Sequence, residues 1–204
     1  MDRHISNRRH PARSSATLIV AATVLCVSWE SAAQQASGNA AVERGRYLVR
    51  ITGCHDCHSP KVEGMTPDLS RALSGRPATT PLPSATQGEV HASLDLTAWT
   101  GPWGYSVASN LTPDPATGIG NRYTEATFIA TMRTGKKPNG TPVMPPMPSE
   151  VYQNMTDEDL RAIFAYLRTI KPIRNPVLAG LPPPANAGQK AAPETQKPAS
   201  TQKP

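Results

Sequence analysis

Cys54-His55-Asp56-Cys57-His58 is the stretch on which the reading of this chain turns. Two thiols stand two residues apart, and an imidazole follows the second at once. Each thiol can form a thioether to one of the two vinyl groups of a porphyrin. The chain then delivers His58 beneath the iron as an axial ligand. C-x-x-C-H is the attachment pattern of c-type haem. Two other readings fail on their own requirements. A zinc site needs a second ligand pair at similar spacing. Outside the motif and the first 33 residues the chain has one histidine, His91, and no cysteine. A redox C-x-x-C pair wants a strand before it and a helix after it, whereas this motif follows a helical stretch. His55, between the cysteines, points away from the iron in this geometry and is expected to be an exposed polar residue.

Outward from the motif, both ends of the chain read as segments to set aside. Arg3, Arg8, Arg9 and Arg13 form a basic head. An apolar run follows from Ala16 to Trp29, and Ser31-Ala32-Ala33 offers a small-x-small cleavage site before Gln34. Residues 1–33 are therefore expected to be an export signal that places the protein in the periplasm. The apolar run is shorter than the roughly 20 residues that span a bilayer comfortably. The alternative is a signal retained as a membrane anchor. Leu25 is not the small residue that a lipoprotein site wants before its cysteine, so Cys26 leaves with the signal. Arg8-Arg9 lacks the apolar partners of a twin-arginine signal. From residue 178 the chain is rich in Pro, Ala and repeated Gln-Lys-Pro. Such a segment cannot bury enough surface to offset its ordering entropy, so residues 178–204 are expected to be a disordered tail. Residues 34–39 then form a linker, and 40–177 the folded domain.

Composition narrows the class further. The 204 residues carry 21 Lys+Arg against 15 Asp+Glu, a formal net charge of +6, with no dense basic run. That gives no case for nucleic acid binding. Aromatic residues make up 5% of the chain, and there are 22 prolines. So lean a core needs something other than side chains at its centre. Three helices are expected. Residues 40–52 lead into the motif with Val42, Tyr47, Leu48 and Ile51 as the apolar face. Residues 125–134 follow Thr124 and stop at Gly135, a C′ glycine. Residues 157–169 place Leu160, Ile163, Phe164 and Leu167 at i, i+3, i+4 and i+7. Thr156 caps that helix, and Met155 is placed to staple onto Leu160. Residues 60–109 read as a long irregular connection. Trp99, Trp103 and Tyr105 near its end are expected to pack over one side of the haem; the alternative is a docking surface or a conduit for electrons.

Iron in an electron carrier wants a soft second ligand. The candidates are Met65, Met132, Met144, Met147, Met155 and His91. Met132 lies at helical spacing with Phe128 and Ile129, so its default role is core packing, and Met155 has its staple role. Met65 follows the motif too closely to reach the opposite face. His91 stands alone in a loop-like region. Met144 and Met147 remain, inside Pro142-Val-Met-Pro-Pro-Met-Pro148. Proline fixes φ and stiffens an extended segment. A stiff strap can hold a thioether against iron with little entropy lost.

Asn110-Leu-Thr-Pro-Asp114, Thr117-Gly-Ile-Gly120, Arg133-Thr-Gly135, Met144-Pro-Pro-Met-Pro148 and Met155-Thr-Asp-Glu-Asp-Leu160 resemble segments of a class of bacterial class I c-type cytochromes. Similar modules occur as single-haem proteins and as repeated units in the cytochrome subunits of membrane-bound alcohol and aldehyde dehydrogenases. The resemblance covers about residues 40–175. It implies a mostly α, small cytochrome c fold: three to four helices around one covalently bound haem, with long irregular loops. In that family the first and last helices cross, here near Gly45 and Tyr166. It implies Met147 as the sixth ligand, with Met144 as the fallback. Ser149 stands where relatives often carry an aromatic residue, which leaves the ligand edge more open to water. One C-x-x-C-H copy implies one haem c.

The implied function is single-electron transfer, by an electron carrier rather than an enzyme. Cys54, Cys57, His58 and Met147 are the expected cofactor-binding residues, with His58 and Met147 on the iron. Electrons would enter and leave at an exposed porphyrin edge. The expected partners are redox proteins: a dehydrogenase, a terminal oxidase or another cytochrome. Peripheral association with a membrane is compatible with that role. With both axial positions filled, no small-molecule substrate is expected at the iron. Lys136 and Lys137 precede the strap and are placed either to steer an acidic partner or simply to solvate a loop. The alternative function is a haem enzyme or sensor, such as a peroxidase or sulfur-compound oxidase, with a displaceable sixth ligand. It needs a distal acid–base group, and His91 is the only histidine outside the motif left for that task.

Overall fold

The computed structural model describes residues 37–86 and 88–177. The expected export signal and C-terminal tail lie outside the described residues. The chain divides into two compact units, residues 1–40 and 41–204. Of the first, only 37–40 are described, and they are helical.

Helix α1 covers residues 37–51, beginning earlier than the expected 40. Its inward face is Gly45, Leu48 and Val49, at i, i+3 and i+4. A Cβ on Gly45 would lie 1.9 Å from the carbonyl oxygen of Ala162 and 2.8 Å from Cβ of Tyr166. The missing side chain lets α1 cross the last helix, α5 (Asp157–Thr169), backbone against backbone. This crossing sets the rotation of α1. Tyr47 and Ile51, expected inside, are turned out and stand 53% and 59% exposed.

The other two long helices have the expected bounds. Helix α3 (Glu125–Thr134) starts from a reciprocal cap, in which the Thr124 hydroxyl accepts from Thr127 N and the Thr127 hydroxyl accepts from Thr124 N. It ends where Gly135 takes a left-handed conformation, φ 64°, which costs glycine nothing. In α5 the Thr156 hydroxyl accepts from Asp159 N, and three acidic residues in the first turn complement the helix dipole. Its buried side, Leu160, Ala162, Ile163, Phe164 and Leu167, joins Leu48, Val49, Leu73, Ile119 and Phe128 in one apolar cluster. The Phe128 and Phe164 rings meet at 5.3 Å. Met132 and Met155 pack against that cluster, half-buried. A single turn, α4 (Ser149–Tyr152), precedes α5. Arg133 reaches from α3 to the Gln153 carbonyl and, at 2.6 Å, to Asp157.

The connection over 60–109 is more ordered than expected. Two 3-10 turns, Glu63–Met65 and Leu69–Arg71, are followed by a three-stranded antiparallel sheet: β1 (His91–Ala92), β2 (Ala98–Gly101) and β3 (Gly104–Val107), in that order. Thr100 faces His91 on one side and Tyr105 on the other. Gly101-Pro102-Trp103-Gly104 makes the reversal, with Gly104 at φ 91°. Ala98, Trp99 and Thr100 are all buried, so β2 lacks the apolar–polar alternation that marks a half-exposed strand. Helix still predominates among the described residues, at 37% against 10% strand.

Candidate cofactor site

Gly53, left-handed at φ 72°, turns the chain out of α1 and straight into α2 (Cys54–His58). One short helix therefore carries both cysteines and His58. Both thiols are free and half-buried. Burial raises their pKa values; at Cys54 the Thr52 hydroxyl, 3.4 Å from Sγ, works against that shift.

His58 Nδ1 lies 2.8 Å from the carbonyl oxygen of Ser109. A carbonyl can only accept, so Nδ1 carries the hydrogen and Nε2 keeps its lone pair. Burial lowers the pKa of this imidazole and favours the neutral form a metal requires.

The Ser109 carbonyl is aimed by the loop behind it. Asn110 is buried, and its side chain is fully used. Oδ1 accepts from Thr112 N at 3.0 Å and from the Thr112 hydroxyl at 2.8 Å. Nδ2 donates to the Ile173 carbonyl at 2.8 Å and to the Thr117 hydroxyl at 3.1 Å. Asp114 closes the turn by accepting from Thr117 N at 2.6 Å and from its hydroxyl at 2.7 Å. A Cβ on Gly118 would sit 2.0 Å from the Thr112 carbonyl oxygen. The Asn110–Gly120 segment is thus a brace that positions the acceptor of His58.

Lys61 secures the other end of α2. Its ammonium donates to the carbonyls of Asp56 and Ser59 at 2.7 Å and of His55 at 3.3 Å. A cation there satisfies the orphan carbonyls of a helix end and matches its dipole. Burial lowers the Lys61 pKa. His55 is half-buried rather than exposed, because Nδ1 packs 2.9 Å from the Ser59 hydroxyl. Ser59, fully buried, also accepts from Leu73 N at 2.9 Å.

The methionine strap is tied at several points. Val143 N donates to the Gly135 carbonyl at 2.7 Å, and the Ser106 hydroxyl of β3 donates to the Pro145 carbonyl. Trp103 Nε1 donates to that same hydroxyl at 3.3 Å, so the aromatic end of the sheet supports the strap. Met144 and Met147 are both half-buried. Tyr152, five residues after Met147, donates its hydroxyl to the Thr52 carbonyl at 2.7 Å. Its pKa is pushed up to about 12, first by burial and then by neighbouring Cys54 and Cys57. That contact draws the outgoing end of the strap towards the cysteine turn. Met65 is largely exposed. His91 lies on β1 with Nε2 2.8 Å from the Glu89 carboxylate, out of hydrogen-bond alignment. Of the two lysines before the strap, Lys136 is exposed, while Lys137 is half-buried with its pKa lowered by that burial.

Ser109, Lys61 and Tyr152 escape a reading of the sequence. A backbone acceptor has no residue signature. Lys61 does have one: a lysine three residues past a short helix is a C-terminal cap candidate. The donor set fits a covalently held haem, with two free thiols on one short helix and a neutral imidazole whose free nitrogen is unprotonated. Among the described residues no three His, Cys, Asp or Glu side chains converge as a cage for a bare ion.

The chain is 30% identical over 157 residues to the cytochrome c subunit of alcohol dehydrogenase (quinone) from Gluconobacter oxydans, a match covering 76% of this chain and 27% of that relative. It is 32% identical over 148 residues to the gluconate 2-dehydrogenase cytochrome c subunit of Pantoea cypripedii, covering 72% and 27%. The chain is similar to dehydrogenase cytochrome c subunits. The fructose dehydrogenase cytochrome subunit of Gluconobacter japonicus is a further relative, 29% identical over 136 residues. The resemblance to c-type cytochrome modules therefore stands. The chain spans about a quarter of the length of the curated relatives it matches. No protein-family model matches it. Among the described residues no helix is long and apolar enough to cross a membrane.

Proposed function

We propose that the protein is a periplasmic, single-haem c-type cytochrome of the small cytochrome c fold, passing single electrons between redox partners. The observation that carries this reading is His58, next to Cys57, with Nδ1 fixed on the Ser109 carbonyl and Nε2 left as the donor. Cys54 and Cys57 would hold the cofactor as thioethers. His58 and Met147, with Met144 as the fallback, would hold its iron. Haem c, when bound, supplies a one-electron couple. The chain's own residues supply orientation and exclusion. Ser109 stops the imidazole ring from turning and makes its free nitrogen more basic. Lys61 pins the end of the cysteine helix, and the proline-rich strap limits the freedom of its thioethers. With His58 and a strap methionine as its donors, the metal would need no substrate, which favours a carrier over an enzyme.

The relatives are named as subunits of dehydrogenases, so a dehydrogenase is the donor class we infer, with a terminal oxidase or another cytochrome as acceptor. Export through residues 1–33 would bring the chain to the compartment where such haems are attached. The test uses protein exported from a host competent in cytochrome maturation. Met147→Ala should abolish the weak far-red sulfur–iron absorption of the oxidised form and lower the reduction potential, while Met144→Ala leaves both in place. The reverse result moves the ligand to Met144. Fast carbon monoxide binding by the reduced wild-type protein would overturn the carrier reading. An exported chain with only the bare peptide mass would end the haem assignment.

A further inference from the structure

Leu73 and Gly75 both stand in the left-handed region of backbone space, at φ 59° and 79°. That region is costly for leucine, and Leu73 is fully buried. Backbone strain of this kind persists only where surrounding contacts impose it. A Cβ on Gly75 would lie 2.6 Å from the Ala108 carbonyl oxygen, so residues 73–76 run hard against the segment that contains Ser109.

What this strained segment holds is the imidazole. Gly75 N donates to the His58 carbonyl at 2.7 Å. Arg76 N donates to the Ala108 carbonyl at 3.0 Å, and Leu111 N donates to the Leu73 carbonyl at 2.9 Å, so the two bonds flank Ser109. The main chain of His58 and the carbonyl that accepts from its ring are therefore registered on the same four residues.

One side chain from a remote part of the sequence fastens them. Asn175, which follows α5, places Nδ2 2.8 Å from the carbonyl oxygens of both Ser74 and Arg76. Carbonyls only accept, so both amide hydrogens are spent there, on either side of Gly75. The main chain of Asn175 is tied in turn to the brace behind Ser109: its N donates to the Thr117 hydroxyl at 2.9 Å, and Ile173 N donates to the Thr112 hydroxyl at 3.1 Å.

We propose that Asn175 is a positioning residue for His58. It holds the strained segment 73–76 in the register that seats Nδ1 on the Ser109 carbonyl. This role rests on the haem reading above. A hydrogen bond from one ring nitrogen makes the other more basic, and a more basic axial ligand favours the oxidised iron. Release of the Ser74 and Arg76 carbonyls lets the strained segment relax, weakens the Nδ1 bond and raises the reduction potential.

The test uses exported, haem-loaded protein. In the reduced wild type, nuclear magnetic resonance should find both Asn175 side-chain amide hydrogens and the His58 Nδ1 hydrogen slow to exchange with solvent. Asn175 hydrogens that exchange as fast as those of an exposed asparagine overturn the proposal, whether or not any variant folds. Asn175→Leu keeps the bulk and removes both donors. It should raise the reduction potential and speed exchange of the His58 Nδ1 hydrogen. A merely structural role would lower the unfolding midpoint and move neither readout. A loaded Asn175→Leu variant with wild-type potential and wild-type Nδ1 exchange therefore overturns the assignment of Asn175 alone. A wild-type chain exported without haem overturns this proposal and the haem reading together.

Discussion

Helices α1, α3 and α5 and the wall built from residues 59–120 are both buried, yet different forces hold them. The helices meet through Leu48, Val49, Phe128, Leu160, Ile163, Phe164 and Leu167. In the wall the buried residues include Ser59, Arg76, Ser93, Thr97, Thr100, Asn110 and Thr112. Apolar burial is strong and nearly without direction. Hydrogen bonds add less net stability but are strict about angle and distance. A side chain that must present one particular nitrogen therefore belongs on the polar wall, and His58 takes its orientation from there. The helical cluster supplies the stability that lets the wall stand.

Truncation should separate the two roles. Phe164→Ala removes a ring from the centre of the helical cluster and should cost about 3–5 kcal/mol, read from denaturant unfolding followed by circular dichroism. The visible spectrum of the folded protein should stay unchanged. Asn110→Ala leaves Thr112 N without its acceptor, leaves the Thr112 hydroxyl only the longer bond to the Ile173 carbonyl, and takes the Asn110 donor from that carbonyl. Its cost should be smaller, about 2 kcal/mol, but it slackens the brace behind Ser109, so the reduction potential should move while the fold survives. If Phe164→Ala shifts the potential and Asn110→Ala does not, the division of labour is wrong.

The same contrast explains what could be read in advance. Period and capping chemistry mark α3 and α5 closely, because Thr124, Gly135 and Thr156 act locally and Leu160, Ile163, Phe164 and Leu167 repeat at helical spacing. The motif singles out Cys54, Cys57 and His58 as the proposed attachment residues because thiol chemistry ties spacing to attachment, and the fold sets all three on α2. The face of α1 is a different matter. Tyr47 and Ile51 are apolar enough to go inside, but the close approach at Gly45 decides the rotation. The small sheet is hidden because β2 is buried throughout, although Gly-Pro-Trp-Gly between β-prone residues is a turn signal that could have revealed it. Ser109, Lys61 and Asn175 matter through backbone carbonyls, whose placement depends on packing rather than on a residue pattern.

Tyr152 joins the two regimes, and its removal should have the smallest effect with the most telling pH dependence. Tyr152→Phe loses the bond to the Thr52 carbonyl, worth about 1 kcal/mol at neutral pH. The phenol pKa is pushed up to about 12 from an ordinary 10.0 because burial penalises the phenolate. The unfolded chain therefore loses this proton first as the solution is made alkaline. The hydroxyl's contribution is complete below pH 10 and disappears as pH rises through the folded value. The gap in unfolding free energy between wild type and Tyr152→Phe should be constant near neutrality and narrow between these two values. A gap that stayed constant across that window would mean the hydroxyl lies in water, and the contact that draws the strap towards the cysteine turn would have to be given up.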